Sequence, residues 1–165
     1  MAAIQVFQQA GFAVQVHVVA AMVAVGLIPF VLWRQQRDRR HKILGYVWVS
    51  AMAITALSSF GISNFGWIGP FSPLHGLAVF TLWTLVTTVR AAIRRDIVSH
   101  RAGLRSLATF GLGIPMVLNF LPGRSFSRAF FAQAPLVGLA TAAIVVGAVL
   151  LWRWSLQRAQ EGRLA

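Results

Sequence analysis

Read from its first residue, the chain alternates long apolar runs with short, arginine-rich connections. Five runs are long enough to cross a bilayer: Phe12 to Trp33, Ile43 to Ile62, Leu74 to Val89 (to about residue 92 with its interfacial end), Leu104 to Leu121 and Leu136 to Trp152. A span needs about 20 apolar residues, because the hydrocarbon core is ~30 Å thick and a helix rises ~1.5 Å per residue. The pattern therefore predicts an all-α integral membrane bundle of five transmembrane helices in one domain. No basic segment precedes the first run, whose first following basic residue is Arg34. A signal peptide needs such a segment, so this run is expected to remain as a helix.

The connections orient the bundle. Arg34, Arg37, Arg39, Arg40 and Lys42 follow the first run; Arg90, Arg94, Arg95, Arg101 and Arg105 follow the third; Arg153, Arg158 and Arg163 follow the fifth. Only Arg124 and Arg128 fall on the other side. The positive-inside rule then puts the amino terminus outside and the carboxyl terminus in the cytoplasm. Trp33, Trp67, Trp152 and Trp154 stand at predicted run ends, as interfacial anchors do.

Composition agrees with lipid as the solvent: 58% of residues are hydrophobic, 11% are charged and the mean hydropathy is +0.71. The net charge of +12 would suggest nucleic acid in a soluble protein. Confined between apolar runs, it reads instead as a topology signal and a contact for membrane lipids. There is no cysteine, which excludes disulfides, thiolate metal sites and covalently attached haem. Asp38, Asp96 and Glu161 all lie on the cytoplasmic side of the predicted topology, so no acid is expected at membrane depth. That counts against an ion-coupled transporter or a hydrolase, and no catalytic set emerges.

Small residues mark the faces expected to meet in lipid. Ala13, His17, Ala20, Ala21 and Ala24 share one stripe of the first helix, and Gly138, Ala142, Ala143 and Gly147 give small pairs in the fifth. Pro29 and Pro115 fall inside helices, where each removes one backbone bond. Gly111 and Gly113 form a Gly-x-Gly without the context of a nucleotide loop and are read as packing.

The candidate chemistry lies in four histidines. A polar ring inside a span is costly unless it is bonded or ligated, and His17 is inside the first helix. His75 falls in the first turn of the third, behind Ser72 and Pro73. His41 precedes the second helix and His100 the fourth. The predicted topology groups His17 with His75 near the outer face and His41 with His100 near the inner one. Two facing imidazoles are one way to hold b-type haem, and two such pairs would carry electrons across the membrane. Arg124 outside, and Arg101 and Arg105 inside, are the candidate partners of haem propionates or another anion. Against this stand blander roles: interhelical bonding for His17, a capping-turn bond for His75, and solvation or lipid phosphate contact for His41 and His100. An alternative function is that of a non-enzymatic accessory or assembly subunit of a larger respiratory or photosynthetic membrane complex. Quinone or lipid binding at the histidine ends is a further option.

The set His41-Lys42-Ile43-Leu44-Gly45-Tyr46-Val47-Trp48-Val49, Ala56-Leu57-Ser58-Ser59-Phe60, Phe71-Ser72-Pro73-Leu74-His75, Ser99-His100-Arg101 and Phe120-Leu121-Pro122-Gly123-Arg124 resembles the predicted bacterial membrane proteins grouped as domain of unknown function 2306. The resemblance runs from about residue 13 to 130, and His17 and Gly26 fall at its first-helix positions. Where that family usually carries a methionine, this chain has Leu104 or Arg105. The resemblance implies a multi-pass protein of the bacterial inner membrane whose histidines and Pro-Gly-Arg turn are family features. It implies no activity. In helix count and in histidines near both faces the arrangement is similar to transmembrane di-haem cytochromes, by analogy alone.

Overall fold

The computed structural model describes residues 2–32, 38–62, 73–121, 127, 131, 136–144 and 146–147, and their ordered backbone is helical throughout. Six α-helices follow one another among these residues: α1 (Ala2–Gln9), α2 (Phe12–Leu32), α3 (Arg39–Ser59), α4 (Pro73–Ile93), α5 (Ile97–Ser106) and α6 (Ile114–Leu118). A π-helical stretch, Leu107–Gly113, joins α5 to α6. Residues 136–144 and 146–147 are helical as well. The rest of the fifth predicted run, with Trp33, Trp67, Trp152 and Trp154, lies outside the described residues.

The chain divides into two units, Phe7–Pro115 and a second made of Met1–Val6 with Met116–Ala165. In the second unit, Gly138 lies against the Phe131 ring, where an added side chain would meet ring carbon at 3.0 Å. Ala142, one turn on, is buried, so Gly138 and Ala142 of the expected small residues are used in packing, whereas Ala143 is exposed.

In the larger unit, α2, α3 and α4 have 21 residues each and are long and apolar enough to cross a membrane. At ~1.5 Å per residue each reaches about 31 Å, the thickness of the hydrocarbon core. The packing of α4 is reversed relative to a water-soluble bundle. On α4 the buried face reads His75, Ala78, Thr81, Leu85, Thr88 and Ala91 at helical spacing, while Val79, Phe80, Trp83 and Val86 point outward. Met22 on α2 and Trp83 on α4 are both 69% exposed. Small and hydroxylated residues inside with large apolar ones outside is the arrangement that lipid favours.

α2 and α3 form an antiparallel hairpin. Trp48, fully buried, donates its indole N–H to the Ala24 carbonyl at 3.0 Å, and His17, earlier on α2, reaches Thr55, later on α3. Ala24, Trp48, Met52, Leu85, Leu104, Leu107 and Leu112 share the core. Ala20 and Ala24 are buried, as the alanine stripe predicted.

Helix starts differ from those read in the sequence, for one repeated reason. α3 begins at Arg39, not Ile43, because the Asp38 carboxylate accepts the His41 N–H at 2.9 Å. α5 begins at Ile97, well before Leu104, because Asp96 accepts the Ser99 N–H at 3.0 Å. An N-cap carboxylate satisfies donors that the first turn leaves free. His41 and His100 thus sit in first turns instead of preceding their helices. Between α4 and α5 the chain turns through Arg95 at φ 61°, with Asp96 N–H bonded to Ala91 O at 2.9 Å and Arg95 N–H to Ala92 O at 3.2 Å. This is a Schellman closure with arginine where glycine is usual.

The predicted fourth helix is not a uniform α-helix. Ahead of Pro115, which has no N–H for the Gly111 carbonyl, the backbone widens, and Ile114 N–H bonds five residues back to Thr109 O. A side chain at Gly111 would meet Met52 at 3.1 Å and Thr81 at 3.2 Å, so the π turn lies close to both α3 and α4.

Candidate functional site

The alanine stripe brings α2 so close to α3 that His17, half-buried, bonds across the seam. Its Nδ1 is 2.9 Å from the Thr55 carbonyl and 3.2 Å from Ser58 Oγ. A carbonyl can only accept, so Nδ1 carries the hydrogen and donates it. In the neutral ring this leaves the lone pair on Nε2. Ser58 directs its own hydroxyl hydrogen to the Ile54 or Thr55 carbonyl, at 2.7 and 3.1 Å, which leaves its oxygen able to accept from His17.

His75 is the third residue of α4 and only 8% exposed. Its ring centroid is 5.7 Å from that of Phe60, tilted by 47°. Phe60 terminates α3, with its N–H turned to Leu57 and Ser58 carbonyls. The last turns of α3 therefore touch both rings: His17 at Thr55 and Ser58, His75 at Phe60. The structure brings these two histidines to one end of the bundle.

At the opposite end, His100 Nδ1 lies 3.1 Å from the Thr88 carbonyl of α4. The logic of His17 repeats, since Nδ1 must donate and Nε2 keeps the lone pair. One turn later, Gly103 lies against Thr88 so tightly that no side chain fits between them. Thr88 Oγ1 is buried without a hydrogen-bond partner among the described residues. His41, half-buried in the first turn of α3, shares this end. Arg101 and Arg105 are exposed on α5 beside His100. Arg124 lies outside the described residues.

Asp96, which starts α5 and so positions His100, is fully exposed. Hydrogen bonds from the Ser99 side chain and backbone hold its carboxyl below its usual range. Among the described residues no three His, Asp or Glu side chains gather as a metal-holding group. Ligation here would therefore rest on paired imidazoles, not on the three or four protein ligands of a zinc site. His17 and His100 each give Nδ1–H to a backbone carbonyl. A ligating histidine typically gives its other N–H to a carbonyl, which fixes ring and tautomer.

Sequence reasoning found the histidines but missed their anchors. Backbone carbonyls of Thr55 and Thr88 carry no sequence signal.

Residues 14–154 match the model of a family described as predicted membrane protein, DUF2306. No curated protein and no solved structure matches the chain.

Proposed function

Because the chain belongs to the DUF2306 family of predicted membrane proteins, we propose that it is a multi-pass protein of the bacterial inner membrane that binds b-type haem through paired histidines and passes electrons across the bilayer. In this reading five helices span the membrane with the amino terminus outside. His17 and His75 form the outer pair, and His41 and His100 the inner one. The observation that carries it is the Thr55 carbonyl 2.9 Å from His17 Nδ1, because this bond turns Nε2 into the free ligand atom. The equivalent bond from His100 to Thr88 supports the inner pair.

The haem would supply a one-electron iron couple. The chain's own part is to hold the rings, exclude water and balance charge. Thr55 and Ser58 fix the His17 ring, Phe60 flanks His75, and the apolar span isolates both from water. Arg101 and Arg105 inside, and Arg124 outside, would pair with propionates.

The test is a reduced-minus-oxidised visible spectrum of the protein purified in detergent from haem-replete cells. Soret and α bands of b type are expected. His17→Ala and His75→Ala should each remove the outer contribution while expression and helix content persist. A colourless wild-type protein, or full haem content in both variants, overturns the reading.

A further inference from the structure

A groove of about 710 Å³ runs along the α2–α3 seam, lined by Phe12, Val16, Val19, Tyr46, Ser50 and Ile54 among others. Neither His17 nor any other histidine lines it. Its volume lies within the ~300–1,000 Å³ range of small-molecule sites. Nearly all of its surface is apolar, as lipid contact alone would require. Beside Gln15, whose Nε2 is bonded to backbone carbonyls, two groups do not fit that explanation.

Tyr46 and Ser50 stand one helical turn apart on α3, at i and i+4, so both face the same groove. Ser50 is near the middle of Arg39–Ser59, hence near mid-bilayer if α3 spans. Tyr46 is 71% exposed, and Ser50 is exposed too. The other hydroxyl residues of α3 satisfy themselves on their own helix: Thr55 on Ala51 O at 2.8 Å, Ser58 on Ile54 O at 2.7 Å and Ser59 on Ala56 O at 2.6 Å. Among the described residues no hydrogen bond is made by the Tyr46 or Ser50 hydroxyl. Unpaired donors in hydrocarbon are costly.

The missing partner must be apolar enough to enter from lipid and must bring acceptors to mid-depth. An acyl chain has no polar atom there, and phospholipid esters stay at the interface. A neighbouring helix, ~10 Å across, is wide for a recess of this volume. A para-quinone with an isoprenoid tail meets each requirement. Its two carbonyl oxygens stand at opposite ends of a flat ring, so the hydroxyls of a long and a short side chain can each meet one from Cβ atoms ~5–6 Å apart on one helix face. Its tail would follow Val19 and Val16 toward Phe12.

We infer that this groove is a binding site for a lipid-soluble quinone, with the Tyr46 and Ser50 hydroxyls donating to its carbonyls. The site is separate from the histidines and does not rest on the haem reading. Titration of the full-length protein in lipid nanodiscs with a para-benzoquinone carrying two isoprenyl units should show saturable binding. Tyr46→Phe and Ser50→Ala, which keep the groove's shape, should each weaken it roughly three- to tenfold, the effect of losing one hydrogen bond. Val19→Trp, which fills the groove, should abolish it. The visible haem spectrum recorded on each variant reads loss of haem separately from loss of quinone. Absence of saturable binding, or unchanged affinity in both hydroxyl variants, overturns the assignment. So does efficient disulfide dimerisation of Val19→Cys in membranes, which would make a second copy the occupant.

Discussion

Gly103 and Thr88 leave no spare volume between α4 and α5. A methyl at residue 103 would drive into the Thr88 side chain, so Gly103→Ala should destabilise the protein by about 1–3 kcal/mol, the usual cost of overpacking. Thr88→Val keeps the shape and removes a buried hydroxyl that has no partner among the described residues. It should be neutral or stabilising by about 1 kcal/mol, since an unmade hydrogen bond is a cost. Thermal unfolding in a single detergent compares the two. Arg95 pays a conformational penalty at φ 61°, so Arg95→Gly should stabilise by roughly 1 kcal/mol. Asp96 adds a pH dependence. Its carboxyl is depressed in the folded protein, so the stability it contributes is complete above its unfolded pKa and is lost as pH falls through the lower folded value. Amide protection factors across residues 97–100, which are corrected for the intrinsic pH dependence of exchange, should fall on acidification in the wild type and stay flat with pH in Asp96→Asn.

α4 is the element where lipid has shaped the sequence most openly. Thr81 is 4% exposed and faces the π turn at Gly111, whereas Trp83 points outward. Thr81→Leu should therefore cost about 1–3 kcal/mol and Trp83→Leu close to nothing. The reverse order, measured by the same unfolding assay, would mean the outward face is a protein interface. The start and end of α2 were legible to within a residue, because an uncharged apolar run bounded by a glycine and an arginine leaves little choice. The starts of α3 and α5 were not, since apolarity does not register a capping aspartate several residues upstream. α1 escaped notice because it is too short to span. Gln15 of α2 holds its end, with Nε2 near the carbonyls of Phe7, Gln8 and Ala10 at 3.2, 3.2 and 3.0 Å. The π stretch was likewise hidden, for a proline announces a lost bond without saying how the backbone absorbs it.

Across the larger unit, the order of hairpins decides which histidines share an end, and that order follows from the succession of runs. Hence the grouping of His17 with His75 at one end, and of His41 with His100 at the other, was legible. The anchoring of His17 and His100 on threonine carbonyls was not, because those acceptors belong to the backbone. Orientation is testable with single cysteines, since the chain has none of its own. A cysteine at Gly11 should react with an impermeant maleimide added outside spheroplasts, and one at Arg105 only after permeabilisation. The sharpest test of paired imidazole ligation is low-temperature electron paramagnetic resonance of the oxidised, purified protein. A low-spin ferric signal of bis-histidine type, diminished in both His17→Ala and His75→Ala, is the predicted result. A high-spin signal, or one that survives both substitutions unchanged, would contradict it.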